Sequence, residues 1–468
     1  MKILFISLGC DKNLADSEEM LGILRAQGYE FTDDETEADV IIVNTCCFIN
    51  DAKEESVQTI LEMAEYKKSG SCRALLVTGC MAQRYRQEIL DELPEVDAVL
   101  GTTAWDKISG AIEKALAGDR SMKMEPLDRL PIPQPSSGFG DRVVTTGGHF
   151  AYLKIAEGCD KHCSYCIIPK LRGPYRSVPM ERLLAQAEAL AAQGVKELIL
   201  VAQETTVYGL DLYGHKCLHL LIEALCKISG LRWIRILYCY PEEIYDELID
   251  VMCREPKVCH YLDLPIQHAS DAVLKRMGRR TTRADLTAII ENLREKIPDI
   301  VLRTTLIAGF PGETQQQHEE LMDFVDEMEF DRLGVFAYSQ EEDTPAASMP
   351  DQIAEETKQK WQEELMELQQ EIAFDRAEQM IGRTVTAMVE GELMEEEELQ
   401  STDADLTYPC AAYAHTYVAR TYGDAPNVDG LLFINTDESL MTGDFAQVKI
   451  TGAQEYDLTG VIADEFTE

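Results

Sequence analysis

The sequence predicts an α/β protein in three parts: an N-terminal parallel-sheet α/β domain, a longer series of βα units forming a full or partial barrel, and a small all-β C-terminal module. Three observations predict it. Apolar runs of strand length alternate with helical stretches over the first three-quarters of the chain. Near the C-terminus they give way to short strands bounded by Gly, Asp and Asn. The length, 468 residues, accommodates about three domains at roughly 150 residues each.

The first part covers residues 1–118. KILFISLG, DVIIVNT and ALLVTG are near-continuous apolar runs, as strands covered on both faces must be. Between them lie helical stretches such as SEEMLGILRAQG, with Ser17 read as its N-cap and Gly28 as its stop. Residues 119–145 read as a linker, because MEPLDRLPIPQPSSGFGDR holds four prolines, two serines and two glycines. The second part, residues 146–376, repeats the alternation with FAYLKIAEG, ELILVAQ, WIRILYCYP, YLDLPIQ, VLRTTLIAGFPG and RLGVFAYS as strands. It closes on a helix whose Trp361, Leu365, Leu368 and Ile372 share one face, expected to pack against the barrel. The third part, residues 377–468, holds the strands TVTAMVEG, YVARTYGD, LLFINT, DFAQVKITGA and DLTGVIA and reads as a small barrel.

Composition narrows the function. No stretch approaches the ~20 consecutive apolar residues of a membrane helix. MKILFISLGC reads as a buried first strand rather than a signal peptide, so a cytoplasmic location with no membrane partner is expected. The formal charge is −41, and from residue 381 onward 18 acidic residues face 3 basic ones, a net −15. Such a surface repels nucleic-acid phosphates and attracts basic partners, or serves solubility alone. Fourteen cysteines without a secretion signal point to metal or redox chemistry rather than disulfides.

The sharpest motif is EGCDKHCSYCIIPKLRGPYRS, in which Cys159, Cys163 and Cys166 form a CxxxCxxC run just after a strand. Thiolates suit iron–sulfur clusters, and these spacings let one loop reach three irons of a cubane. No fourth cysteine is near, so one iron keeps an open position. A zinc site with a distant fourth ligand is the alternative, and His162 is expected to face solvent. Cys10, Cys46 and Cys80 each stand just past a predicted parallel strand, at the ends that form the ligand crevice of an open α/β sheet. Three such cysteines converge in space, as a second three-thiolate site or as buried structural residues. Cys47 competes with Cys46 for the ligand role. Cys72, Cys217, Cys226, Cys239, Cys253, Cys259 and Cys410 show no paired spacing and read as packing residues.

Cys159, Cys163 and Cys166, with Tyr165 before the last, resemble the signature of the radical S-adenosylmethionine superfamily. SLGCDKNLADSE, VNTCCFI and VTGCMAQRY resemble the N-terminal motifs of its methylthiotransferase family, and TYGDAPNVDG and VKITGAQEYDLTG resemble that family's TRAM module. The resemblance spans nearly the whole chain. It implies a partial TIM-type radical S-adenosylmethionine barrel between an N-terminal cluster domain and a C-terminal TRAM barrel. It further implies two 4Fe–4S clusters, on Cys10, Cys46 and Cys80 and on Cys159, Cys163 and Cys166, with S-adenosylmethionine on the open iron of the second. One S-adenosylmethionine would methylate sulfur at the N-terminal cluster. Another would be cleaved at the barrel cluster to the radical that takes a hydrogen atom from substrate. At Cys47 the family usually carries a smaller non-ligand residue.

Two branches of that family act on different substrates: one on modified adenosine of tRNA, the other on the β-carbon of an aspartate in small-subunit ribosomal protein S-twelve. SLGCDKN, YLDLPIQHAS, FAYSQEEDTPA and RTYGDAPNVDG resemble the second branch, whereas tRNA enzymes tend to carry Gly-Cys-Gln-Met-Asn at the first cysteine. A TRAM module that grips tRNA should be basic, and this one is acidic. The expected partners are therefore S-twelve, free or in the small subunit, an electron donor such as flavodoxin or ferredoxin, and a sulfur donor, with tRNA disfavoured. Polar residues at barrel strand ends, namely Gln203, Glu204, Gln267 and His268, with Arg303 in its strand and Tyr165 in the cysteine loop, are expected to line the cofactor site. The rival of another class is a cluster-binding electron carrier without catalysis.

Overall fold

The computed structural model describes residues 1–131, 142–393 and 413–463. The N-terminal part is a six-stranded parallel sheet of β1 (Lys2–Ser7), β2 (Glu30–Phe31), β3 (Val40–Thr45), β4 (Ala74–Gly79), β5 (Ala98–Leu100) and β6 (Ser121–Lys123), in the order β2-β1-β3-β4-β5-β6. Alternate residues of β3 and β4 feed two separate cores. Ile41, Val43, Leu75 and Val77 face one way, and Val40, Ile42, Ala74 and Leu76 the other. That period of two with no exposed face is why both strands read as unbroken apolar runs.

Two sequence readings are corrected here. The linker reading began too early, since β6 pairs in parallel with β5 inside it; three residues on a sheet edge leave almost no hydrophobic signature. Residues 132–141 of that linker lie outside the described residues. The first helix, α1 (Asp11–Ala26), starts six residues before Ser17. Ser17 is interior and buried. Its hydroxyl donates to the Asn13 carbonyl at 3.0 Å, meets Ser7 Oγ at 2.7 Å and accepts from Asn44 Nδ2 at 2.8 Å. A polar residue good at capping is equally good at tying a helix to a sheet. Gly28 does follow the helix end, in the left-handed region.

The second part is built from β7 (Phe150–Lys154), β8 (Ala156–Glu157), β9 (Arg176–Ser177), β10 (Glu197–Val201), β11 (Trp233–Ile236), β12 (Val258–Asp263), β13 (Val301–Ala308) and β14 (Arg332–Ala337). Six of these form a parallel sheet in the order β14-β13-β12-β11-β10-β7, curved but not closed, while β8 and β9 pair antiparallel at the foot of the cysteine loop. Along β13, Leu302, Thr304, Leu306 and Ala308 are buried under the helices, while Val301, Arg303, Thr305 and Ile307 are half-buried along the bore. The helix Glu355–Glu378 buries Trp361, Leu365 and Ile372, with Leu368 beside them, in the barrel core. Each such side chain contributes about 1.5–3 kcal/mol.

The third part is a closed barrel of β15 (Thr384–Glu392), β16 (His415–Thr421), β17 (Leu432–Thr436), β18 (Phe445–Gln454) and β19 (Asp457–Ile462), in the order β15-β16-β17-β19-β18. It packs where the strands of the large barrel begin. Trp233, the first residue of β11, meets Phe445 edge to face at 4.9 Å. Glu197, the first of β10, is fully buried between Arg235 Nε at 2.8 Å and Arg420 Nη2 at 2.7 Å. Arg420 also reaches Glu390 at 2.7 Å, and Arg332 holds Asp424 at 2.6 Å. No helix among the described residues is long and apolar enough to cross a membrane.

Candidate functional site

Cys10, Cys46 and Cys80 follow β1, β3 and β4, three adjacent strands, so the sheet order itself brings them together. Gly9 turns the chain in the left-handed region (φ 85°), and a Cβ there would stand 2.6 Å from Cys46 Cβ and 2.9 Å from its Sγ. Only glycine admits that approach. Ser56 fixes Cys46 at both backbone groups, at 3.1 and 2.9 Å, and Asn13 Nδ2 ties the Leu8 and Thr45 carbonyls at 3.0 and 2.9 Å. Cys10 is exposed, whereas Cys46 and Cys80 are buried, and burial pushes the Cys80 thiol up to about 12. Cys47 is fully buried in the apolar cluster that also holds Leu4, Val43, Val77 and Cys80.

Cys159, Cys163 and Cys166 occupy the loop between β8 and β9. Its backbone is clamped by Cys159 N to Gly173 O at 3.1 Å, Ser164 N to Met277 O at 2.8 Å and Ala346 N to Ser164 O at 2.8 Å. The Cys163 sulfur lies 3.5 Å from the Tyr240 hydroxyl. Burial pushes Cys159 and Cys166 up to about 12. Thiols held that high ionise readily only against a bound cation, with release of protons. His162 is exposed, as expected. Among the described residues no three His, Cys, Asp or Glu side chains gather as tightly as ligands of a single metal ion do. A cubane takes its thiolates on separate irons, and both triads fit that wider requirement in ligand type and in number.

Gln203 and Glu204 lie just beyond β10. Gln203 Nε2 donates to Glu157 at 3.2 Å, and Glu204 Oε1 accepts from Thr206 N at 3.0 Å. Gln203 Oε1 and Glu204 Oε2 are buried with no hydrogen-bond partner in the structure. Burial pushes the Glu204 carboxyl up to about 7. Two orphaned acceptors on consecutive residues fit a ligand rich in N–H donors, such as the amino group of an amino-acid-like cofactor. Tyr165 packs edge to face on Phe310 at 6.4 Å.

Three other expected residues sit differently. His268 is fully buried: its Nδ1 accepts from the Ala269 and Ser270 amides at 2.9 Å each, so Nε2 carries the proton and donates to Glu313 at 3.1 Å. Glu313 in turn accepts from the Gly309 and Phe310 amides, so the pair fastens two turns rather than facing the bore. Gln267 has left-handed backbone (φ 72°) and bridges to β13 through its main chain. Arg303 does line the bore, but against protein carboxylates, Asp263 at 3.3 Å and Asp429 at 3.5 Å. Of the cysteines read as packing, Cys72, Cys217, Cys239 and Cys259 are buried and Cys226 is half-buried. Cys253 is exposed, its sulfur 3.5 Å from the Lys296 carbonyl, and Cys410 lies outside the described residues.

Sequence reasoning missed the connection between the two cysteine sites. Arg172, wholly buried, donates from Nη1 to Asp16 at 2.7 Å and to Glu157 at 3.2 Å, and from Nη2 to Asn13. Lys154 binds Asp16 and, at 2.7 Å, Glu157. Burial opposes ionisation of Glu157, but Lys154 and Arg172 prevail and hold it well below the usual carboxylate range. This network runs from Gln203 in the barrel to Asn13, whose Oδ1 is 4.0 Å from Cys80 Sγ. A second bridge is the loop after β14. Arg84 of the helix Cys80–Tyr85 holds Glu341 at 3.1 Å and the Glu342 carbonyl at 2.9 Å, while Lys53 reaches Glu341 at 2.7 Å. The same loop carries Ala346, bonded to Ser164 in the barrel cysteine loop. These residues are scattered over helices, strands and a loop far apart in sequence, so no local pattern marked them.

Residues 2–101 match the family described as "Uncharacterized protein family UPF0004", residues 153–325 the Radical SAM superfamily, and residues 411–463 the TRAM domain. The chain is 60% identical to the ribosomal protein uS12 methylthiotransferase RimO of Lachnoclostridium phytofermentans, over 98% of this chain and 99% of that one. This chain belongs to the RimO methylthiotransferase family. The RimO protein of Pelotomaculum thermopropionicum is 48% identical over the same shares. Among solved structures, the radical S-adenosylmethionine methyltransferase TsrM of Kitasatospora setae has a similar fold, with a TM-score of 0.53 at 13% identity over 74% of this chain and 76% of that one. Members of the RimO family are sulfur-transferring enzymes, so the electron-carrier reading is set aside.

Proposed function

We propose that this RimO-family chain replaces a β-hydrogen of an aspartate in ribosomal protein uS12 by a methylthio group, with one 4Fe–4S cluster on Cys10, Cys46 and Cys80 and another on Cys159, Cys163 and Cys166. The observation that carries it is the strand end after β11. Tyr238 touches Asp11 and Lys12 beside Cys10, and Tyr240, two residues on, touches Cys163. One short segment thus reaches both cysteine sites. Bound at these sites, the clusters and S-adenosylmethionine supply hydrogen abstraction and sulfur. The chain's own residues bring substrate and sulfur within reach, which matters because a carbon radical is short-lived. Gln203 and Glu204 offer their orphaned oxygens to S-adenosylmethionine, and Tyr165 backs the cysteine loop. A flavodoxin- or ferredoxin-like reductant and a sulfur donor complete the reaction in the cytoplasm.

The acidic surface supports a basic protein substrate over tRNA, since phosphate contacts need cationic side chains. Reconstituted enzyme offered both a peptide of the uS12 target loop and unmodified tRNA should return a peptide in which methylthio replaces one hydrogen. Its binding should weaken with salt, as attraction between opposite charges is screened beyond ~10 Å at 0.1 M. Methylthiolated adenosine with unmodified peptide would hand the substrate to tRNA.

The ligand set has its own test. Cys47→Ala should keep its full iron and lose only about 1 kcal/mol of stability, as a small cavity in a core costs. Cys46→Ala should lose the N-terminal iron yet still cleave S-adenosylmethionine. Iron loss from Cys47→Ala instead would reverse the assignment.

A further inference from the structure

Lys12 stands in the first turn of α1, two residues after Cys10, and its side chain is only 8% exposed. Burying an ammonium costs several kcal/mol, which a chain bears only where the charge is held or used. Its Nζ lies 2.8 Å from Asp11 Oδ1 and 3.2 Å from the centre of the Tyr238 ring. The Tyr238 hydroxyl is 3.3 Å from the same Asp11 oxygen. Tyr238 itself sits in the left-handed region (φ 61°), held by its amide to Asp263 at 3.1 Å. A tyrosine there costs of order 1–3 kcal/mol, and such strain concentrates at functional sites. An ammonium has three hydrogens to give, and one carboxylate with one ring face does not exhaust them. Arg303, half-buried on β13, is already shared between Asp263 and Asp429.

We infer that Lys12 is the residue that grips the carboxylate of the substrate aspartate. The inference rests on the uS12 reading above. The reacting β-carbon carries no polar group of its own, but it is bonded directly to the carboxyl carbon. Holding the carboxylate therefore places the carbon one bond away. Lys12 holds it between Cys10 on one side and, across Tyr238 and Tyr240, Cys163 on the other. Asp11 and the Tyr238 ring keep the ammonium aimed and charged while the site is empty of substrate. Asparagine has the same shape as aspartate without the charge, so this site separates the two by charge alone.

The test is a binding cycle on the reconstituted holoenzyme. Fluorescent uS12-loop peptides carrying either the target aspartate or asparagine are titrated into wild type and Lys12→Met, and iron is counted in each. Wild type should prefer the aspartate peptide by about 10- to 100-fold, the range of a hydrogen bond between charged groups. Lys12→Met should keep its iron and bind both peptides alike, at the wild-type asparagine level, and Lys12→Arg should recover part of the preference. A Lys12→Met that keeps the aspartate preference, or a wild type that binds both peptides equally well, overturns the inference. Should Lys12→Met lose iron, Lys12→Arg decides: unchanged iron with no aspartate preference overturns it, and a retained preference supports it. A wild type that ignores both peptides and methylthiolates tRNA overturns the substrate reading itself, and is recognised by the absence of peptide binding.

Discussion

Replacing Cys159, Cys163 and Cys166 together by alanine is expected to leave half the iron and no cleavage of S-adenosylmethionine. Two cubane sites, as proposed above, would hold about eight irons per chain after anaerobic reconstitution, four in each. The barrel triad lies between β8 and β9, and the N-terminal triad hangs from β1, β3 and β4, so on the proposed assignment neither would borrow a ligand from the other. The N-terminal site also keeps its own supports in the triple variant, namely Gly9, Asn13 and Ser56. Iron analysis of the variant reads the result directly. Loss of all the iron, or of none, would mean that the two triads are not independent sites.

The second large effect falls on stability. Glu197→Ala should cost about 3–5 kcal/mol, because it leaves the buried guanidinium of Arg235 without a carboxylate and takes from Arg420 one of its two, Glu390 remaining. The penalty has a defined pH dependence. Burial opposes ionisation of Glu197, but Arg420 and Arg235 hold its carboxyl below the usual carboxylate range. A depressed carboxylate stabilises the fold above its unfolded value, about 4.3, and that contribution is lost as pH falls through the folded value. The gap between wild type and Glu197→Gln in denaturant midpoint should therefore be widest near neutral pH and narrow on acidification. A gap that stays constant with pH would show that packing, not charge, sets the penalty.

The parts of this protein that were legible in its sequence share a physical reason. Cys10, Cys46 and Cys80 could be placed because strands of a parallel sheet present their C-terminal ends on one edge, so position along the chain becomes position in space. The CxxxCxxC loop was legible because it is local. The five C-terminal strands showed themselves by their turns. Arg172 and Asp16 are 156 residues apart and could not be paired by any local pattern. Lys12, Asp16, Ser17 and Glu18 are buried on a helix whose apolar periodicity is weak, because that helix is gripped between two domains rather than laid on one core. His268 looked like a site residue for being polar at a strand end. The backbone amides of Ala269 and Ser270 claimed it first.

The loop that joins Arg84 to Ser164 has a consequence for how such proteins can be recombined. Glu341 and the Glu342 carbonyl answer to the N-terminal domain, while Ala346 answers to the barrel's cysteine loop, all within one turn of chain. The N-terminal domain is thus not a cassette that could be exchanged between relatives at its sequence boundary. A chimera that swaps residues 1–118 alone would bring a new Arg84 position to an old acceptor loop. The segment from Tyr338 to Ala347 has to travel with it, so the unit of inheritance here is discontinuous in sequence and contiguous only in space.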